Sequence, residues 1–256
     1  MQSTFDSYLR ISAHDRNDGS NTAFSVNLPS QGGRSVLNRV KSVEVVSAHF
    51  EHTVPNILAG SKLSFIANTV PSELIFEEGF YSADDIVEIV QNYFDATIQA
   101  EATFSLSERA PYKFQLDVAD GVISSVESTP LWNQLGFDHQ SAIGLMPNTL
   151  ITAANLPRLQ GTPEVYIHCR EIATPAGDAD SPDSLNYICC VPLQIEYGKT
   201  VHIDYWPGQF THRYPRRRSL TDSSLNFRVR DRFGNLVNLD PNSDWSILLR
   251  VEYELI

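Results

Sequence analysis

The sequence predicts an all-β protein: an antiparallel sandwich or barrel interrupted by one amphipathic helix at about residues 82–96. Three observations carry this. Apolar and polar residues alternate along most of the chain, turn-forming clusters separate the alternating runs, and a single stretch shows helical spacing.

The alternation is clearest near the end. Trp245, Ile247, Leu249, Val251, Tyr253 and Leu255 fall on one face of an extended chain, while Ser246, Leu248, Arg250, Glu252 and Glu254 fall on the other, with Leu248 the one apolar exception. Successive side chains of a strand point to opposite sides, so this is a half-buried strand. Leu225, Phe227 and Val229 repeat the pattern, with Arg228 and Arg230 facing the other way. Residues 22–28, 40–50, 62–68, 73–78, 112–118, 164–172, 186–197 and 200–206 are also rich in β-branched and aromatic residues and read as strands. Asp-Gly, Gly-Gly and Phe-Gly-Asn clusters mark the turns between them.

The helix begins at Ser82, a side chain suited to capping, followed by Asp84 and Asp85, which favour the positive helix start. Ile86, Ile89, Val90, Tyr93 and Phe94 then lie along one face. A shorter helical turn is expected at 130–137, stopped by Gly136. No linker or repeat divides the chain, so one domain spanning residues 21–256 is expected, after an arm and first turn at 1–20.

Composition narrows the function. No apolar run reaches the roughly 18–20 residues of a membrane span. The polar, acidic start carries no secretory leader pattern, and Cys169, Cys189 and Cys190 do not suggest a disulfide framework. A formal charge of -12 opposes wholesale wrapping of nucleic acid.

Catalytic and metal-binding patterns are weak. The Gly-Lys-Thr at 198–200 lacks the upstream glycine of a phosphate loop, since Leu193 stands at that position. There is no nucleophile-elbow motif. His49 and His52 would point to opposite sides of a strand and could share a metal with Glu51 only if the strand gave way to a turn. His202 and Asp204 share a strand face, where a partly buried, locally bonded histidine is the plainer reading. Asp178, Asp180 and Asp183 read as a solvated acidic loop, because the glycine and final glutamate of a calcium loop are missing. No cofactor, no metal and no enzymatic activity are expected.

The arginines are the unusual feature. Arg213, Arg216, Arg217, Arg218, Arg228, Arg230 and Arg232 stand against only Asp222 and Asp231, a local +5 that leaves -17 for the rest of the chain. Fifteen arginines against four lysines favour paired recognition of carboxylates, for which the planar guanidinium is suited. The leading reading is a subunit interface facing acidic surface on a like or related chain. A solvated strand-and-loop face and a nucleic-acid contact are the alternatives.

Several stretches in order also resemble a known family. These are "SYLRISAHDRNDGSNTAFSVNLPS", "VKSVEVVSAHFEHTVPNI", "EEGFYSADDIVEIVQNYF", "LWNQLGF", "YICCVPLQIEYG" and the closing "LNFRVRDRFGNLVNLDPNSDWSILLRVEYEL". Together they are similar to the single jelly-roll penton, or minor capsid, proteins of icosahedral DNA viruses whose major capsid protein is a double jelly roll, including virophages and polinton-like elements. The resemblance implies an antiparallel jelly-roll sandwich, five copies of which surround a fivefold vertex and contact the major capsid protein, with other minor capsid proteins as further partners. It implies a virion location after synthesis in the host cytoplasm, and it supplies no catalytic residues. The chain is short for that family, leaving little room for an added receptor-binding domain. It places the last two strands in opposite sheets, so that Arg228 and Arg230 do not face Glu252 and Glu254. The alternative function is a carbohydrate- or receptor-binding jelly-roll module, for which Trp206 is the best-placed tryptophan.

Overall fold

A computed structural model describes residues 4–27, 30–31, 34–35, 39–67, 70–98, 102–118, 123–127, 129–138, 149–173, 187–218 and 224–254. The chain forms two compact units. One combines Met1–Val54 with Thr162–Ile256, and the other is Pro55–Gly161.

In chain order, the first unit opens with β1 (Thr4–Ser12), β2 (Asp18–Ser20), β3 (Ala23–Val26), the two-residue strands β4 (Ser30–Gln31) and β5 (Arg34–Ser35), and β6 (Val40–Glu51). The second unit holds β7 (Lys62–Ala67), β8 (Val70–Ile75), helix α1 (Ala83–Tyr93), β9 (Ala102–Leu106), β10 (Phe114–Val118), β11 (Ile123–Glu127), helix α2 (Pro130–Gln134) and β12 (Thr149–Thr152). The chain then returns to the first unit with β13 (Glu164–Cys169), β14 (Tyr187–Pro192), β15 (Thr200–Asp204), β16 (Thr211–Arg218), β17 (Leu225–Arg230) and β18 (Trp245–Glu254).

The first unit is the jelly roll. One sheet has the order β1-β18-β6-β15, with β16 also paired to β6, and the other has the order β14-β13-β17-β3-β2. All of these pairings are antiparallel. The chain crosses between the two sheets several times, and β17 and β18 lie in opposite ones, as the resemblance implies. Inward residues of both sheets form one apolar core. At its centre Phe24 stacks on Phe227 (5.6 Å between centroids), and both rings pack against Trp245 (5.3 and 6.2 Å). The buried Trp245 indole N–H donates to the Asn21 carbonyl at 2.7 Å, which satisfies its one polar atom.

Beside the single domain expected over 21–256, the chain divides into two compact units. The connection between β6 and β13 is a separate unit with its own core, built on Phe65, Phe94, Phe104, Phe114 and Trp132. Two three-stranded sheets, β11-β7-β8 and β12-β10-β9, contribute to this unit. The predicted helix is present and begins where expected. Ser82 accepts from the Asp85 N–H at 3.1 Å while its own N–H donates to the Asp85 carboxylate at 2.8 Å. Ile86, Val90 and Phe94 are buried, and a turn of wider helix follows at Phe94–Ile98. Gly136 ends the turn after α2 with φ +95°, and a Cβ there would lie 2.3 Å from the Asn155 carbonyl oxygen, so only glycine fits.

Thr4–Ser12 pairs residue for residue with β18 from Glu254 to Ser246, and Ile11 is buried in the core. Other differences are local. The strand expected at 73–78 lies at Val70–Ile75, and the one expected at 186–197 ends at Pro192. Strands β9, β11 and β12 were not expected, being short and rich in Ser and Thr.

Candidate functional site

The seven arginines are clustered in sequence but divided by the fold. Arg213 lies on β16 in the first sheet, opposite Ser42 of β6, and is exposed. Its neighbours turn inward: the His212 ring lies 3.2 Å from the Ile188 carbonyl oxygen, and the Tyr214 hydroxyl donates to the Ile172 carbonyl at 2.7 Å. Arg216, Arg217 and Arg218 continue the same strand. Their side chains lie outside the described residues.

Arg228 and Arg230 belong to the other sheet, on β17. Arg228 is exposed between His168 of β13 and Ala23 of β3. Arg230 is half-buried opposite Tyr166 and donates to the Gly234 carbonyl at 2.7 Å. Arg232 sits in the turn after β17, its guanidinium 4.7 Å from the centre of the Phe233 ring, a cation–π contact.

The nearby acids are occupied. Asp231 accepts from the Phe233 and Asn235 N–H groups at 2.8 and 2.9 Å and so holds its own turn together. Glu252 accepts from Ser42 at 3.1 Å, and Glu254 pairs with Lys41 at 3.4 Å, both in the first sheet. The separation of Arg228 and Arg230 from these glutamates therefore stands as expected. Among the described residues, no carboxylate lies within ion-pair distance of Arg213, Arg228, Arg230 or Arg232. Asp222 lies outside the described residues.

One ion pair escaped sequence reading. Glu44, buried inside the valine-rich β6, accepts from Arg250 at 2.6 Å and from the Gly208 N–H at 2.5 Å. Its signal was a lone acid in the run Val43-Glu44-Val45-Val46, which pattern reading absorbs into a strand.

The other candidates disperse. His49 and His202 face each other across β6 and β15 with rings 6.1 Å apart, and His202 lies 3.3 Å from Asp204. The expected partly buried histidine is corrected: the His202 side chain is 58% exposed. His52 is buried, its Nδ1 3.0 Å from the Ile195 carbonyl oxygen, and desolvation holds its pKa below the ordinary value. Among the described residues, no group of three or more His, Cys, Asp or Glu is arranged to hold a metal ion. Asp178, Asp180 and Asp183 lie outside them. Cys189 points into the core and Cys190 away from it, and desolvation pushes both thiols up to about 12. No helix is long and apolar enough to cross a membrane, among the described residues.

No protein-family model matches the chain, and no curated protein matches it. Among solved structures it is similar to the mavirus penton protein, with a TM-score of 0.46 and 10% identity, over 98% of this chain and 100% of that one.

Proposed function

We propose that the chain is a structural capsid protein, without catalytic activity, that forms the fivefold vertex of an icosahedral virion and contacts the surrounding major capsid protein. The observation that carries this is the state of the arginines on the jelly roll. Arg213, Arg228 and Arg232 are exposed, have no carboxylate partner among the described residues, and belong to a chain of net charge -12. The acid surplus is concentrated in the inserted unit, which has 13 Asp and Glu against 4 Lys and Arg. Guanidinium groups displayed on two sheets of one sandwich suit contacts with acidic surface on adjacent chains. The ordered sequence resemblance to single jelly-roll penton proteins supports the same reading.

The test is location. Immunogold labelling of purified particles, or difference density between wild-type and deletion particles, should place this protein at the fivefold vertices. Its absence from particles would overturn the reading. Replacing Arg216, Arg217 and Arg218 by Glu should lower incorporation while leaving the monomer folded by circular dichroism.

A further inference from the structure

Strands β15 and β16 run along the same edge of β6, pairing with Glu51–Ser47 and with Glu44–Ser42 in turn. Between them residues 205–210 leave the ladder and return. The Tyr205 N–H donates to Val46 at 2.9 Å, and Phe210 accepts from the Val45 N–H at 3.0 Å, closing the base of the loop. Its tip is a turn in which the Gln209 N–H donates to the Trp206 carbonyl at 2.9 Å. Gly208, with φ +86°, donates to the buried Glu44, and Tyr205 and Phe210 pack edge to face at 4.9 Å. On this braced loop Trp206 is 81% exposed, the most of any large apolar side chain described. A tryptophan carried on a braced backbone brings little loop freedom to lose on binding, and tryptophan is prominent among the residues that anchor interfaces.

A complementary feature lies on the outer face of the other sheet. Asp18, Gly19, Ser25, Asn226 and Arg228 line a depression of about 240 Å³ on β2, β3 and β17. That is smaller than the roughly 300–1,000 Å³ of pockets for drug-sized ligands, and it suits a single large side chain. Arg228 offers a cation to an indole face, and Asp18 an acceptor to an indole N–H.

The sheet orders separate the two features. The β15–β16 edge packs over β14, where the Tyr205 hydroxyl donates to the Cys190 carbonyl at 2.7 Å. The depression lies toward β2 and β3, at the far end of the second sheet. Projection and depression are therefore different surfaces of one jelly roll, the first at the β15–β16 edge and the second on the outer face of β17, β3 and β2. Two different patches that meet make a heterologous, head-to-tail contact, which forms a ring where its rotation closes.

We propose that Trp206 of one copy seats in the Asp18–Arg228 depression of a second copy. This rests on the vertex reading and names the surfaces that meet. The test uses the full chain and particles containing it. Trp206→Ala and Arg228→Glu should each weaken self-association at least tenfold in sedimentation, with unchanged thermal unfolding. Copies carrying Trp206→Cys mixed with copies carrying Asn226→Cys should form a disulfide-linked pair that neither variant forms alone. Wild-type association in both substitutions, with no cross-link in solution or in particles, would overturn the contact. So would Trp206-dependent binding on a glycan array without a cross-link, which would assign the tryptophan to sugar recognition. Labelling at the vertices together with a missing cross-link would overturn the contact and leave the vertex reading standing.

Discussion

Glu44 and Arg250 meet at 2.6 Å across β6 and β18, with 7% of the Glu44 side chain and 42% of the Arg250 side chain exposed. The same carboxylate accepts from Gly208 and so ties the pair to the loop that carries Trp206. Replacing Glu44 by Leu removes both acceptors and strands a partly buried guanidinium. Hydrogen bonds to charged groups are worth about 1.5–3 kcal/mol, and a loss of that order is expected in urea unfolding. Amide exchange at 206–209 should also accelerate. A variant with wild-type stability and exchange would show the pair to be incidental.

Trp245 joins the two sheets of the jelly roll. It is fully buried against Phe24 and Phe227. Trp245→Ala should cost about 3–5 kcal/mol through lost burial and the cavity left behind. Trp245→Phe should cost less, while still stranding the Asn21 carbonyl. Denaturant midpoints of the two variants check the order.

The inserted unit has its own sensitive position. At Gly136 the backbone has φ +95°, and a Cβ meets a carbonyl oxygen at 2.3 Å. Gly136→Ala should destabilise residues 55–161 by more than the roughly 1 kcal/mol of an unfavourable φ alone. Hydrogen exchange should rise in that unit and stay near wild type on β6 and β18. Equal loosening in both units would mean that they unfold as one body.

Acid should weaken the jelly roll through two desolvated histidines, His52 and His212. Desolvation lowers the pKa of His52 and His212 from 6.5, so below that pH the unfolded chain takes up protons before the folded one. Their contribution is fully present above pH 6.5 and declines as pH falls from there toward the lower folded pKa values. The denaturant midpoint should be level from pH 7 to 8 and fall below pH 6.5, with a shallower fall in His52→Gln/His212→Gln. Superimposed wild-type and variant profiles would exclude these groups as the cause.

Local chemistry made several elements legible in advance. Ser82 and Asp85 announce a capped helix, and the alternation from Trp245 to Tyr253 announces a strand with one buried face. Both depend on residues close in sequence, where spacing alone decides which side chains share a side. The hydroxyl-rich β9, β11 and β12 were illegible because runs of four or five residues, each with two Ser or Thr, hold too few apolar positions to mark a period of two.

The candidate site was legible only as an inventory. Sequence alone determined that seven arginines cluster within 21 residues of an acidic chain, and that the chain alternates like a sandwich. Tertiary structure decided that Arg213 and Arg228 lie in different sheets, that residues 55–161 form their own core, and that Glu44 braces the loop beneath Trp206. The reason is distance along the chain. Strand order and ion pairs such as Glu44–Arg250, more than 200 residues apart, follow from which apolar faces cover one another, and no local pattern encodes that.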